Sequence, residues 1–141
     1  MRRKFYGRRG FALAVTALLV TRAALAVAPP NDTCAGAEII PTAGPFPYYS
    51  EIVDARDATV TDDPWQPSCR SVGVGRSVWY KFTPPTTRLY TISASGDTAT
   101  TVLDTVMVIY TSQGGCGGPF TEVACNDDQG NCQSAISMTL S

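Results

Sequence analysis

Hydrophobic and polar positions alternate with period two over residues 77–82, where Val78, Tyr80 and Phe82 share one face and Ser77, Trp79 and Lys81 the other. This is the pattern of a strand with one buried side. Pro84 and Pro85 follow, and because proline cannot donate to a sheet ladder the strand must stop near Thr83. The segment is expected to be a central strand of the core. Alternation returns over residues 88–95, with Tyr90, Ile92 and Ala94 on one face, and over residues 134–140, where Ile136, Met138 and Leu140 alternate with Ala135, Ser137 and Thr139. Residues 102–111 are nearly continuous in apolar side chains after Asp104, as expected of a strand covered on both faces. Residues 120–125 read as a further strand, and 48–53 and 58–61 as two modest ones. Residues 88–95 and 102–111 are the expected companions of the central strand.

Between these segments lie turn and loop signals. Pro41, Gly44, Pro45 and Pro47 exclude a long helix near the start, residues 62–75 form a long loop carrying Trp65, Cys69 and Arg70, and the glycine-rich stretch 112–119 precedes the strand at 120–125. About six or seven short strands, spaced by turns at intervals of about 8–12 residues, predict an all-β antiparallel sandwich. The absence of an internal repeat argues against a propeller or solenoid.

The first 26 residues change the charge balance. Arg2, Arg3, Lys4, Arg8 and Arg9 precede an apolar run over residues 11–20 and the small-residue site Ala24-Leu25-Ala26, the layout of a secretory signal peptide. Cleavage is expected after Ala26, because cutting after Ala28 would place Pro29 first. The apolar run is too short to span a bilayer, which takes about 20 residues. The Arg8-Arg9 pair also loosely fits a twin-arginine export signal. With Arg22, the leader holds six of the eleven basic residues, leaving five against twelve carboxylates and a net charge of −7. So acidic a module, without a basic cluster, is a poor ligand for nucleic acid or anionic membrane and better suited to divalent cations. The remaining 115 residues, 27–141, suffice for one domain with its own core. A short arm over residues 27–33 is expected to lead into a sandwich domain over 34–141.

Five cysteines, Cys34, Cys69, Cys116, Cys125 and Cys132, sit in a chain read as exported, where disulfides persist. Five leave one unpaired, and many pairings are open. The expected set is Cys34, Cys69, Cys116 and Cys125, with Cys34 joined to Cys69 and one bridge among the last three cysteines. Zinc is disfavoured, since the chain has no C-x-x-C pair and no histidine.

Five motifs occur in order: N-D-T-C-A-G-A (31–37), S-V-W-Y-K-F-T-P-P (77–85), L-Y-T-I-S (89–93), D-T-V-M-V-I-Y (104–110) and E-V-A-C-N-D-D (122–128). Together they resemble the bacterial pre-peptidase C-terminal domain over essentially the whole chain after the leader. The resemblance implies a secreted, non-catalytic β-sandwich of jelly-roll type, commonly appended to peptidases or other extracellular proteins. In that family some members bind calcium and some bind collagen or other polymers. Two departures stand out. Related sequences often carry a cysteine where this chain has Ala94-Ser95-Gly96, and the family pattern usually continues beyond the last strand. The chain is therefore expected to be a fragment lacking the final strands.

The candidate chemistry is concentrated in turns. Asn126, Asp127 and Asp128 set three oxygen-bearing side chains in one turn, and Asp104 opens the neighbouring strand. Calcium takes six to eight oxygens, some of them backbone carbonyls, and these four residues are the expected ligands if Ca2+ is a cofactor. The competing reading is that Asn126 and Asp127 bond their own backbone and shape the turn. Asn31 and Asp32 form a second candidate pair. Trp79 is expected to pack in the core, whereas Trp65 is balanced between core and an aromatic platform for a sugar or peptide. Without histidine, Ser-His-Asp and Cys-His arrangements are impossible within the chain. The function expected is a non-catalytic accessory or binding module whose partner is an extracellular polymer or a peptidase domain. The alternative is a structural or adhesive cell-surface spacer.

Overall fold

Five of the apolar and alternating segments, and in addition residues Glu38–Ile39, where no strand is expected, form strands in the computed structural model, which describes residues 27–64, 66–94, 102, 104–130 and 132–141. The expected leader over 1–26, Trp65 and residues 96–100 lie outside the described residues. In chain order the strands are β1 (Glu38–Ile39), β2 (Tyr80–Lys81), β3 (Arg88–Ser93), β4 (Met107–Ser112), β5 (Phe120–Asn126) and β6 (Ala135–Leu140). Single 3-10 turns occur at Cys34–Gly36 and Gly115–Gly117. The fold is all-β. No described helix is long and apolar enough to cross a membrane.

The strands associate in three pairs. β3 and β6 are antiparallel, as are β4 and β5, whereas β1 and β2 run parallel. In the β3–β6 ribbon the predicted alternation is met on both strands. Tyr90 lies opposite Met138 and Ile92 opposite Ile136, with Tyr90 and Ile136 buried and the intervening Thr91, Ser137 and Thr139 exposed. Thr91 and Ser137, directly opposed on the outer face, bond through their hydroxyls at 2.8 Å. In the β4–β5 ribbon the register shifts between Ile109 and Tyr110, which face Ala124 and Glu122 and so leave Val123 as an extra residue. Such a bulge bends and twists its strand.

The segment 77–82 departs from expectation. Only Tyr80 and Lys81 are ladder residues, because backbone partners arrive from three different places. Ser77 N–H donates to Thr59 O at 3.0 Å, Trp79 N–H to Asn31 O at 2.8 Å, and Trp79 O accepts Glu38 N–H at 3.0 Å. The N-terminal arm thus takes the ladder position, and the expected companions meet the segment through side chains instead, at Tyr90 of β3 and Tyr110 of β4. On one face Trp79 stacks on Tyr110 with ring centres 6.0 Å apart and meets Phe120 at 5.4 Å. On the other, Phe82 meets Tyr90 at 5.1 Å and Phe46 at 6.1 Å. Aromatic side chains on both faces therefore join this segment to both antiparallel ribbons. Trp79 packs inside, as expected, and its indole N–H donates to Asp63 Oδ1 at 2.9 Å.

Two expected strands are absent: residues 48–53 and 58–61 run as irregular chain and turns. β4 also starts later than predicted, at Met107. Its first four residues are half-buried rather than fully covered.

The apolar core is thin. Among the described residues the buried apolar side chains are Ala58, Pro67, Tyr90 and Ile136, so cross-links carry more of the burden. The disulfides are Cys34–Cys116 and Cys69–Cys125. All four expected cysteines are bridged, but neither the expected Cys34–Cys69 bond nor the expected bridge among the last three cysteines is formed. The 3-10 turn at Cys34–Gly36 folds against the arm, toward the loop carrying Cys116, whereas Cys69 lies over β5 beside Cys125. Gly36 permits this closure, since a Cβ there would stand 2.1 Å from Pro30 O. Cys132 is free and exposed.

Candidate functional site

The acidic turn after β5 is built from three converging pieces. The loop residues Ser68, Cys69 and Arg70 dock along β5 in order. Ser68 N–H donates to Glu122 Oε2 at 3.1 Å and its hydroxyl donates to Glu122 Oε1. Cys69 is bridged to Cys125, and Arg70 Nη1 donates to Asp127 Oδ1 at 2.7 Å. The same nitrogen stands 3.7 Å from Asp104 Oδ2. The loop itself is closed by Arg70 N–H to Pro67 O at 3.2 Å and Gln66 Nε2 to Arg70 O at 2.7 Å.

Beneath this turn lies Ser134, fully buried. Its N–H donates to Thr105 Oγ1 at 2.8 Å, its hydroxyl faces the carbonyls of Thr105 and Asp127, and its carbonyl accepts Ala94 N–H at 2.9 Å. One residue thereby ties the end of β3, the approach to β4 and the turn after β5 to the start of β6.

Each predicted cation ligand has a definite place. Asp104 and Asp127 do converge, and the cation between them is Arg70. Asn126 spends both ends of its amide on backbone, with Nδ2 donating to Asp128 O at 3.1 Å and Oδ1 accepting Ala135 N–H at 3.1 Å. Asp128 is exposed and acts on Arg70 only through its charge. The hydrogen bond that Arg70 donates to Asp127, then the charges of Asp127, Asp104 and Asp128, hold the guanidinium above its ordinary pKa. Calcium takes ligand oxygens at about 2.3–2.6 Å. An ion at that distance from Asp127 Oδ1 would compete with a guanidinium nitrogen already 2.7 Å from the same atom. As placed, the four residues do not offer calcium an oxygen cage. Among the described residues no group of three or more Cys, Asp and Glu side chains is arranged to hold a metal ion.

In the second pair the carboxylate of Asp32 is committed to structure, whereas the buried Oδ1 of Asn31 has no hydrogen-bond partner. Asp32 accepts the N–H of Thr59 on Oδ1 and its hydroxyl on Oδ2, the latter at 2.8 Å. Asn31 is buried, and its Nδ2 reaches Trp79 O at 3.4 Å. A groove of about 600 Å3 opens between the arm and residues 51–54, lined by Pro29, Pro30, Glu38, Ile52 and Val53 among others. At its side Tyr48 donates to Glu38 Oε1 at 2.7 Å, and this bond pushes the phenol above its ordinary range. Tyr49 is exposed.

Arg70 and Ser134 are the residues that reading by motif passes over. A signal for Arg70 did exist. It is one of only five basic residues after residue 26, and it adjoins a cysteine, so any Cys69–Cys125 bond places it within reach of Asp127.

Comparison with known proteins gives no match, whether to a family model, a curated protein or a solved structure. The resemblance to the pre-peptidase C-terminal domain thus rests on the five motifs.

Proposed function

We propose that this chain is an exported, non-catalytic binding or accessory module, folded as a jelly-roll-like antiparallel sandwich and associated with an extracellular polymer or a peptidase domain. The observation that carries the reading is the pair of disulfides, Cys34–Cys116 and Cys69–Cys125, because such bonds persist in oxidising compartments. The basic, then apolar, then small-residue leader supports the same address. A sandwich is supported by the aromatic contacts on both faces of residues 79–82, which draw the two antiparallel ribbons around one segment. The non-catalytic part is supported by the lack of histidine, which leaves no Ser-His-Asp or Cys-His arrangement within the chain.

Expression with the native leader in a bacterium tests the reading. The expected product begins at Val27, is recovered outside the cytoplasm and is retained on collagen or an insoluble polysaccharide. Cytoplasmic protein that keeps Met1 would refute export. Exported protein retained on none of the polymers would replace the binding role with that of a spacer.

A further inference from the structure

We propose that the groove between the N-terminal arm and residues 51–54 is a binding site for a basic peptide segment, in which a lysine or arginine side chain with apolar neighbours supplies the donor that Asn31 lacks. The inference deepens the binding role proposed above by naming a ligand class, and it rests on that role for the module's having a partner.

Asn31 is the second asparagine-type signal of the arm, and its amide is half satisfied. Only 4% of the residue is exposed, it lines the groove, and its Oδ1 is buried without a hydrogen-bond partner. Buried carbonyl oxygens are nearly always paired, because an unpaired one forfeits its hydration for nothing in return. The amide has no better orientation available. Nδ2 donates to Trp79 O at 3.4 Å, and turning the amide over would set two oxygens against each other. The backbone is held as well, with Asn31 O accepting Trp79 N–H at 2.8 Å. The open acceptor is therefore a fixed feature of the groove, and its complement is an N–H or O–H donor.

Charge narrows that donor to a cation. Glu38, Glu51 and Asp54 line the same groove. Asp54 is already held by Arg56, and Glu38 accepts the Tyr48 hydroxyl on one of its two oxygens, Oε1. Glu51 has no ion-pair partner among the described residues, and its charge adds to that of Glu38 in raising the Tyr48 phenol. Residues 27–141 carry a net charge of −7, which draws cations over longer range as well. The remaining walls are apolar, with Pro30, Ile52 and Val53 among them, and Ile52 is 72% exposed. A metal ion or a polyamine would leave these walls uncovered, whereas a peptide lays apolar neighbours along them on either side of its basic residue. The volume of about 600 Å3 falls within the roughly 300–1,000 Å3 of ordinary ligand clefts.

The test is fluorescence anisotropy at low salt, using the purified disulfide-intact protein and a dye-labelled acetyl-Gly-Val-Lys-Val-Gly amide, with norleucine replacing lysine in a control peptide. Saturable binding of the lysine peptide is expected, about tenfold or more tighter than that of the norleucine peptide and weakening as salt rises. Glu51→Gln should weaken it by about two- to fivefold, and Asn31→Ala by about tenfold or more. If Asn31→Ala does not fold, Ile52→Lys, at an exposed position, takes its place and should abolish binding by setting the protein's own ammonium at the groove. Equal affinity for the two peptides, or Asn31→Ala and Ile52→Lys proteins that bind like the wild type, would overturn the proposal. A wild-type protein that collagen or a polysaccharide retains but the lysine peptide does not bind would overturn this site alone and leave the binding role standing.

Discussion

At the scale of single residues, pairing decides what each polar side chain does. Asp54 shows this on the surface. Arg56 grips it through Nε at 2.9 and 3.0 Å and through Nη2, and its own backbone N–H donates at 3.1 Å. These bonds, the side-chain ones first, lower the carboxyl pKa from 3.8 to about 2. The sign follows from the direction: the pair favours the folded state above about pH 4, and that contribution fades as pH falls from 3.8 through about 2. Both groups are largely exposed, with side-chain accessibilities of 82% and 60%, so salt screens the effect. A carboxyl-carbon NMR titration should place the Asp54 midpoint near 2, and Arg56→Ala should return it toward 3.8. A wild-type midpoint already at the ordinary value would show that the pair does not form. The packing of Trp79 was legible at this scale, since a tryptophan within an alternating apolar stretch has few places to go. Arg70 was not. Its role depends on which cysteine Cys69 joins, and spacing leaves that pairing open.

At the scale of elements, alternation proved a sound guide wherever both strands of a ribbon carry it. Tyr90, Ile92, Ile136 and Met138 face inward in register, and each can be read from its own segment. The burial contrast within β6 is directly testable. Ile136→Ala should lower stability by about 2–5 kcal/mol, the usual cost of emptying a buried aliphatic site. Thr139→Ala, on the exposed face of the same strand, should stay within about 0.5 kcal/mol. Equal losses in chemical denaturation would mean the faces are misassigned. Residues 77–82 have the same alternation yet form only a two-residue ladder. Their backbone partners are shared among Thr59, Asn31 and β1, a choice made by tertiary context rather than local pattern. The Val123 bulge has the same origin, as does the loss of the predicted strands at 48–53 and 58–61. Alternation describes what a strand would bury, not whether a neighbour comes to pair with it.

At the scale of the whole molecule, two cross-links hold a thin core. The bridges span 82 and 56 residues and interleave along the sequence, so each closes a loop containing one end of the other. Loop entropy assigns each about 4 kcal/mol of stabilisation, less any strain. Few side chains are fully buried, so that contribution is a large part of what a domain of this size has available. The four bridged cysteines are the set expected from the sequence. Their connectivity was not readable there, because it depends on how the arm at 31–37 and the loop at 66–70 cross the two ribbons. Arg70 at the acidic turn, Ser68 on Glu122 and the placement of Trp79 all presuppose that crossing. Proteolysis without reduction, followed by mass spectrometry of the alkylated peptides, tests it most directly. The expected result is peptides joined as Cys34–Cys116 and Cys69–Cys125, with Cys132 alkylated before any reductant is added. A Cys34–Cys69 linkage, or a bridge that includes Cys132, would contradict the account.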